Sequence, residues 1–517
     1  MSSTNETAAV LGEHEGTAPS TSSTDAKSLT RDPEHQPTED DVDMEKVETG
    51  AKDPDIVDWD GDNDPENPLN WPRSKRLPVI IVVSFVAMLS PFASTMSASA
   101  TPLIMKDFHS TNDTLGTFIT SVYILGYAFG PLFWGPLSEL YGRQHMYNAS
   151  NVIFFIFNIA CAVTNNIGGL VAFRFIAGVA ASCPVTIATA TVADLYPLEK
   201  RGRALSSVML GPLFGPTIGP IAAGYLSEAR GWRWAFWLLV ILSGFAVVIS
   251  FVFNRETYAY TILERRATRL RKETGNPNLR SKLATDKTPT EYFKMSMVRP
   301  MKMLLLSAPV FLMSFVMATV YGYSYLLLTT YPRVFGQQYG FSEKGIALTY
   351  LGSGVGTCLG LVFSGAVLDR IASTLKERNG GKHRPEFRLP AMLISSLLVP
   401  IGLFMYGWTA EKQVHWIVPI IGTGFLGAGM IIMFLPGITY LVDIYTVYAA
   451  SVSAACTVLR SLVGALLPLA GPAMYDALGI GWGNSLLGFI AVACIPVPIC
   501  FWIFGERIRS SASKRQF

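Results

Sequence analysis

The 517-residue sequence is poor in charge, in grouped histidine and in clustered cysteine, and each shortage excludes a class of function. Only 15% of its residues are Asp, Glu, Lys or Arg, which is low for a water-soluble chain. The six histidines do not group, and the sequence contains no nucleotide-binding loop or catalytic triad. The six cysteines are scattered through apolar segments, which argues against a metal centre or a disulfide framework. We therefore expect no cofactor, no nucleic-acid partner and no enzyme activity.

The chain instead contains many long apolar segments. Half of its residues are hydrophobic, its mean hydropathy is +0.34, and apolar runs of about 20 residues recur along it. A helix of that length crosses a lipid bilayer. We predict an all-α membrane protein with twelve spans in two groups of six, at 77–98, 115–137, 146–165, 168–191, 204–226 and 234–254, then at 303–328, 345–367, 388–408, 415–440, 450–474 and 484–504.

Charge divides the chain into regions. Residues 1–66 hold 19 acidic and 4 basic side chains, and we predict a disordered acidic cytoplasmic tail there. Two six-helix bundles, 67–254 and 303–505, flank a basic central loop at 255–302, and residues 506–517 form a short cytoplasmic tail. The loop carries twelve Lys and Arg residues. The positive-inside rule therefore places the loop and both termini in the cytoplasm.

The two halves repeat one another. Asp194 and Asp443 end the fourth and tenth spans in similar sequences. The second and eighth spans share one spacing of small and acidic residues, at Gly126, Gly130, Gly135 and Glu139 and at Gly356, Gly360, Gly365 and Asp369. Such matches predict two pseudo-symmetric bundles around a central path, as in many secondary transporters.

The fifth span has an unusual pattern of small residues and prolines at every fourth position: Gly211, Gly215 and Gly219, with Pro212, Pro216 and Pro220. Residues four apart form one stripe, which lets another backbone approach closely. Each proline removes a backbone donor, so the helix should bend, and neighbouring helices can satisfy the freed carbonyls. We predict a kinked span at a moving interface. The alternative is that the glycines serve tight packing alone.

Several motifs resemble those of a known family. The sequence Gly135-Pro-Leu-Ser-Glu139-Leu-Tyr-Gly142-Arg143-Gln resembles the loop between spans two and three of the major facilitator superfamily. Arg174-Phe-Ile-Ala-Gly178 is similar to its fourth-span motif, and Gly211–Leu226 resembles the fifth-span motif of its proton-driven antiporters. Asn67-Pro-Leu-Asn-Trp71 and the loop after Asp194 resemble fungal twelve-span drug:proton antiporters. One departure is Gln144, which stands where the superfamily usually has a second basic residue.

The resemblance implies the major facilitator fold and transport driven by a proton gradient. We expect Glu139, Arg143, Asp194 and Asp369 to form a gating cluster, in which cytoplasmic ion pairs hold the outward-facing state. An ordinary interfacial charge group that only sets topology is the alternative. In the first half, Arg143 is the main cation of this cluster.

Three residues are candidates for proton coupling. Arg174 lies inside the fourth span, where an ionised side chain is costly and usually faces a cavity or a partner. Its alternative role is structural, with backbone carbonyls capping the guanidinium. Arg460 in the eleventh span raises the same question, and Asp443 is either a proton site or a partner in a helix-end pair. No acidic residue lies in the middle of a predicted span, so the sequence does not identify the proton carrier.

Aromatic residues mark the candidate substrate pocket: Tyr123, Tyr127, Tyr321, Tyr325, Phe434 and Tyr440. A site with aromatic walls and few charges suits bulky, planar, apolar compounds. Asn112 begins a glycosylation sequon in the first predicted external loop.

Together these features predict a monomeric exporter of small amphipathic compounds, such as drugs, fungicides, toxins or secondary metabolites. It would exchange them for protons by alternating access across the bilayer, in the plasma membrane or in a vesicle or vacuole membrane. A proton-coupled importer of a polar nutrient and a non-transporting membrane sensor are the alternatives.

Overall fold

The computed structural model describes residues 55–284, 288–381 and 384–513. Within these ranges, side chains are described except at 198, 199, 203, 368, 369, 447 and 509–513. Most of the predicted acidic tail and the side chain of Asp369 therefore lie outside the described part of the chain.

Six long helices form the first half: α1 (Arg73–Asp107), α2 (Asp113–Tyr141), α3 (Arg143–Val163), α4 (Ile167–Leu195), α5 (Leu198–Arg230) and α6 (Arg233–Phe253). Local signals set several of their ends. The Asn112 side chain accepts a hydrogen bond from the Leu115 N–H at 3.1 Å and so caps α2. Gly142, with a φ of 93°, ends α2 in a conformation that favours glycine.

The central loop predicted at 255–302 is largely helical, with α7 (Ala259–Thr274) and α8 (Pro289–Leu306). The prediction of a loop between the bundles did not include these helices, because low hydropathy concealed an amphipathic pattern. The apolar residues Leu263 and Ala267 are four apart, so they share one helix face, and both are buried. Thr288 caps α8 through a capping box with Glu291. We refer to residues 255–306 as the central segment.

Residues 55–66, predicted as part of the disordered tail, are ordered. A short strand β1 (Ile56–Val57) pairs in parallel with β2 (Arg280–Ser281) of the central segment. Arg266 forms ion pairs with Asp60, with Asp64 (2.8 Å between Nη1 and Oδ2) and with Glu66. The acidic composition that predicted disorder is thus neutralised here by a basic partner far along the chain.

The second half contains α9 (Ala308–Tyr331), α10 (Glu343–Arg378), α11 (Pro390–Glu411), α12 (Ile417–Ile444), α13 (Ala449–Leu466), α14 (Gly471–Cys494) and α15 (Pro496–Ser513). Among the described residues, eleven helical segments are long and apolar enough to cross a membrane. The last of these, Ala449–Ile508, has 60 residues and breaks at Gly479, where φ is 76°. A helix of that length spans roughly 90 Å, about three bilayer cores, so it supplies two crossings. The predicted twelve-span, all-α fold is confirmed.

Glycines pack the helices of each half in the same way. A Cβ placed on Gly126 would lie 2.6 Å from the Phe175 carbonyl oxygen of α4, so the backbones of α2 and α4 touch. A Cβ on Gly360 would lie 2.7 Å from the Ala428 carbonyl oxygen, so α10 and α12 touch in the same manner. The internal repeat predicted from spacing is therefore present as matching helix contacts.

The two bundles contact each other through α5 with α10 and through α2 with α13. Gly224 of α5 lies against Ala347 and the Glu343 carbonyl of α10, and Glu228 forms an ion pair with Lys344 at 3.1 Å. These residues are near the last turn of α5 and the first turns of α10. The α5–α10 contact therefore begins at the end of the bundles opposite the central segment and extends to Thr217 and Gly354.

Candidate functional site

Side chains from both bundles meet in a central cluster, which we define as Ser94, Tyr127, Tyr321, Tyr325, Phe434 and Arg460. The rings of Tyr321 and Tyr325 are 4.9 Å apart between centroids, and the Tyr325 hydroxyl is 3.0 Å from Ser94 Oγ. The Arg460 guanidinium carbon is 4.7 Å from the Tyr321 ring centroid and 4.9 Å from that of Phe434. Helices α1 and α2 of the first bundle and α9, α12 and α13 of the second thus contribute to one site.

Four of the six predicted pocket residues belong to this cluster, namely Tyr127, Tyr321, Tyr325 and Phe434. Tyr123 lies next to Tyr127, but its hydroxyl donates to the Ser90 carbonyl at 3.0 Å and its ring packs against Arg174. Tyr440 is fully buried and its ring packs against Phe501 of α15. Tyr440 therefore belongs to the core of the second bundle, because it faces the twelfth span.

Arg460 has no polar partner among the described residues. It lies eleven residues after the start of α13, roughly 17 Å along the helix and so near the middle of the span. Its Nε is buried without a hydrogen bond, and no described carboxylate forms an ion pair with it. The Tyr127 hydroxyl, on helix α2, which contacts α13, is also buried without a hydrogen-bond partner. The cluster therefore holds two unused donors.

Arg174, in contrast, is saturated with hydrogen bonds. Its side chain is 1% exposed and donates to the carbonyls of Ala93 (2.9 Å), Ser94 (3.3 Å) and Ile119 (3.2 Å). It also donates to Ser97 Oγ at 2.8 Å. These contacts match the structural alternative that the sequence left open, because the guanidinium ties α4 to α1 and α2.

The loop motif between α2 and α3 forms a buried charge cluster within the first bundle. Arg143 Nε is 3.3 Å from Asp194 Oδ2, and Nη1 donates to Ser138 Oγ at 2.5 Å. Glu139 does not join this pair, since it accepts a hydrogen bond from the Tyr292 hydroxyl of α8 at 2.6 Å. Because the Arg143–Asp194 pair joins α3 to α4, it does not itself hold the two bundles together. The gating role remains a prediction.

Tyr292 thus connects the first bundle to the central segment. Burial raises the pKa of the Tyr292 phenol, and the hydrogen bond to Glu139 raises it further. The phenol therefore stays protonated and remains a donor to the Glu139 carboxylate.

Glu256 is a member of the charge cluster that the sequence did not indicate. Its carboxylate is 7% exposed and accepts from the backbone N–H groups of Arg143 (2.9 Å) and Gln144 (3.3 Å). It thereby caps the first turn of α3, where a negative charge is favourable. The Gln144 side chain, which stands where the superfamily usually has a basic residue, donates to the Asn254 carbonyl at 2.8 Å. This contact involves no charge. An acidic residue directly after the sixth span is the signal that could have identified this cap.

The second bundle repeats the ion pair. Arg388 Nε, just before α11, is 2.9 Å from Asp443 Oδ2 at the end of α12. Arg143 and Asp194 likewise join the start of the third helix to the end of the fourth in the first half. Asp443 is therefore engaged in a helix-end pair, which matches the structural alternative for this residue.

The glycine stripe of α5 faces α1. A Cβ on Gly215 would lie 2.8 Å from the Phe92 backbone nitrogen, and a Cβ on Gly219 would lie still closer to the Phe92 carbonyl oxygen. Pro220 frees the carbonyl of Pro216, which accepts a hydrogen bond from the Thr95 hydroxyl at 3.2 Å. The stripe is thus a close contact inside the first bundle, and a different face of α5, with Gly224, meets the second bundle.

Asn112 is exposed at the end of the bundles opposite the central segment. Its side-chain amide oxygen caps α2, as described above, and its glycosylation remains a prediction.

Comparison with known proteins decides the family. The model of the Major Facilitator Superfamily matches residues 83–468. The chain belongs to this superfamily. The resemblance found in the motifs is therefore confirmed, and the protein is a membrane transporter.

The relatives of this major facilitator protein include fungal transporters of nearly the same length. The MFS-type transporter penM of Penicillium rubens is 53% identical over 465 residues, covering 90% of this chain and 91% of penM. The efflux pump radE of Floropilus chiversii is 47% identical over 460 residues, covering 89% of this chain and 86% of radE.

Solved structures show the same fold. The xylose transporter XylE of E. coli, in a partially occluded inward-open conformation, matches with a TM-score of 0.59 and 17% identity over 83% of this chain and 98% of XylE. A crystal structure of a D-xylose-proton symporter matches with a TM-score of 0.63 and 16% identity, with the same coverage.

Proposed function

We propose that this transporter exports small amphipathic organic compounds, such as secondary metabolites, toxins or fungicides, in exchange for protons. The observation that carries the proposal is the central cluster, where aromatic rings from both bundles surround a site without a described carboxylate. Aromatic walls favour planar, apolar cargo over a sugar or another polar nutrient, which needs many hydrogen-bond partners. The name of the relative radE, an efflux pump, supports the same direction of transport.

The arrangement of charge orients the transporter in the membrane. The central segment is basic, so the positive-inside rule puts it in the cytoplasm together with both termini. The α5–α10 contact then lies on the outer side of the membrane, and a compound would reach the central cluster from the cytoplasm. In alternating access an exporter loads its cargo from this side and an importer releases its cargo there, so the proposed direction rests on the central cluster and on the relative radE. We place the transporter in the plasma membrane or in a vesicle or vacuole membrane, acting as a monomer.

A resistance panel tests the proposal. Pump-deficient yeast expressing the protein should accumulate less of at least one planar amphipathic compound and grow at higher concentrations of it than cells with empty vector. Collapse of the proton gradient with a protonophore should abolish the difference, because no nucleotide-binding loop supplies another energy source. Efflux that survives the protonophore but stops on ATP depletion would contradict proton coupling. Greater accumulation in expressing cells would indicate import.

Two variants relate export to the central cluster. Tyr321→Ala removes a cluster ring and should lower efflux at unchanged surface expression. Tyr440→Phe changes a tyrosine that packs on Phe501, so it serves as the matched control and should transport normally. Equal efflux by the two variants would place the substrate elsewhere.

A further inference from the structure

We propose that Arg460 binds an ionised acidic group of the transported compound, which makes planar organic acids the substrate class of this transporter. The acidic group is a carboxylate or an acidic enol, since both present an oxygen anion to the guanidinium. The inference rests on the proposed function for the movement of the compound, but the binding itself can be measured separately.

The first support is the missing counter-charge. A charged side chain in the middle of a membrane span is costly and is normally paired with a carboxylate or with backbone carbonyls. Among the described residues Arg460 has neither, and its Nε is buried without a hydrogen bond. An anionic ligand would supply both the charge and the acceptor that the protein leaves out.

The second support is the direction from which the rings contact Arg460. The rings of Tyr321 and Phe434 both have the guanidinium carbon within 5 Å of their centroids, as in cation–π contacts. Such contacts attract the cation without accepting its N–H groups as a carboxylate does. A guanidinium carries five N–H donors in one plane, which matches the two oxygens of a carboxylate. The rings therefore hold the cation in position and leave its donors available to an anion.

The third support is a second unused donor in the same cluster. The Tyr127 hydroxyl is buried and unpaired, and Tyr127 is 7% exposed. By contrast, the neighbouring Tyr325 hydroxyl is already close to Ser94 Oγ. Tyr127 is thus available to donate to an oxygen of the ligand, and the rings of the cluster provide the apolar surface for its planar part.

Two other roles for Arg460 are less consistent with these contacts. A purely structural role needs acceptors of the kind that saturate Arg174, and none of the described residues provides them to Arg460. A direct role in proton coupling needs a titratable carboxylate within ion-pair reach, and no described carboxylate is within that reach. Binding an anion is the role that uses the observed geometry without a further partner from the chain.

The test is binding of a matched pair of probes to the full-length protein in nanodiscs. Naphthoate and its neutral amide, naphthamide, have nearly the same shape and differ in charge. We expect the wild-type protein to bind naphthoate at least about tenfold more tightly than naphthamide in equilibrium dialysis. Arg460→Gln should remove this preference while leaving weak binding of both probes, and Arg460→Lys should retain part of it. Arg299→Gln, which also removes an arginine lying over a tyrosine ring but on α8, should behave as wild type.

Several results would overturn the inference. These are the absence of naphthoate binding to the wild type, equal affinity for the two probes, and a preference for naphthoate that survives in Arg460→Gln. Arg460→Gln should change the unfolding temperature little, because the removal of an unpaired charge from the span offsets the loss of its two cation–π contacts. A clear loss of thermal stability would instead assign Arg460 a structural role.

The outcome is distinguishable from that of the proposed function. Export of neutral compounds with no effect of Arg460→Gln on binding would leave the export proposal standing and reject the anion site. Charge-selective binding through Arg460 without any efflux would support the anion site and reject the export proposal.

Discussion

Two arginines lie inside membrane spans of this transporter, and their surroundings differ in one respect. Arg174 and Arg460 each have the guanidinium carbon close to a tyrosine ring, at 4.6 Å from Tyr123 and 4.7 Å from Tyr321. Arg174 also donates four hydrogen bonds, whereas Arg460 donates none to the described residues. The comparison teaches that a cation–π contact alone does not reveal the role of an arginine inside a membrane span. The hydrogen-bond acceptors around it separate a structural residue from one available to a ligand.

A third arginine, in the central segment, completes the comparison. Arg266 is partly buried and finds carboxylates in Asp60, Asp64 and Glu66. The three arginines thus differ in their acceptors. Backbone carbonyls accept from Arg174 and carboxylates from Arg266, whereas no described residue accepts from Arg460.

The largest effect is expected for Arg174→Gln. The substitution removes charged hydrogen bonds that join α4 to α1 and α2, so we expect a loss of unfolding free energy on the order of 3 kcal/mol or more. Thermal unfolding of the purified protein measures it. Arg460→Gln is the matched control, because the same chemical change there removes no hydrogen bond to a described residue. Equal decreases in the unfolding temperature of the two variants would contradict the structural role assigned to Arg174 alone.

A smaller loss of stability is expected at the α1–α5 contact. The stretch of α1 that supplies carbonyls to Arg174 packs there on the glycine stripe of α5. Gly215→Val should cost about 1–3 kcal/mol, since its side chain would collide with backbone atoms at Phe92. Efflux should fall although the protein still reaches the membrane. Gly215→Ala should also be harmful, because the Cβ itself lies within 3 Å of that backbone.

Gly135 provides the control for that substitution. No atom lies within 4 Å of a Cβ built at this position, so Gly135→Ala should be neutral or slightly stabilising. Efflux and surface expression measured together distinguish the outcomes. Normal efflux by Gly215→Val at normal expression would show that the α1–α5 contact is not needed for transport.

The smallest effect, a local loss of stability at the β1–β2 pairing, is expected when the carboxylate partners of Arg266 are protonated. Burial disfavours the charge of Asp64, but hydrogen bonds from the Asp60 and Glu66 backbone and from Arg266 lower its pKa below the ordinary value of 3.8. A carboxyl with a lowered pKa stabilises the folded state above 3.8 and loses that contribution as the pH falls through the lowered value. Hydrogen exchange at the amides of Arg280 and Lys282, which donate to the Asp55 and Val57 carbonyls across the β1–β2 pairing, should therefore increase at acidic pH after correction for intrinsic rates.

Arg266→Gln should produce the same increase at neutral pH and leave efflux unchanged. Protection of the strand that persists in this variant would show that the β1–β2 pairing holds residues 55–66 without the ion pairs. Loss of efflux would give the segment a part in transport that the contacts described here do not explain.

Sequence reasoning located the helices and the glycine stripe better than it located the partners of polar residues. Gly215 was expected to approach another backbone, and it does, because residues four apart always share a helix face. The proximity of Glu139 to Arg143 was also expected from a four-residue spacing, but Tyr292 takes the Glu139 carboxylate from a helix that begins 150 residues later. Glu256 and Arg388 were missed because their partners lie across loops, where no periodicity relates them.

By itself, the sequence determined the twelve spans, the two-bundle repeat and the superfamily. Hydropathy, helical period and short motifs are properties of neighbouring residues, so they can be read without knowing what lies opposite. Only the tertiary structure decided that Arg174 is saturated while Arg460 is not, and that Tyr440 faces Phe501 instead of the central cluster. Two of the three carbonyl partners of Arg174 come from α1, about 80 residues away in sequence, and no local pattern specifies which acceptors such a distance will bring together.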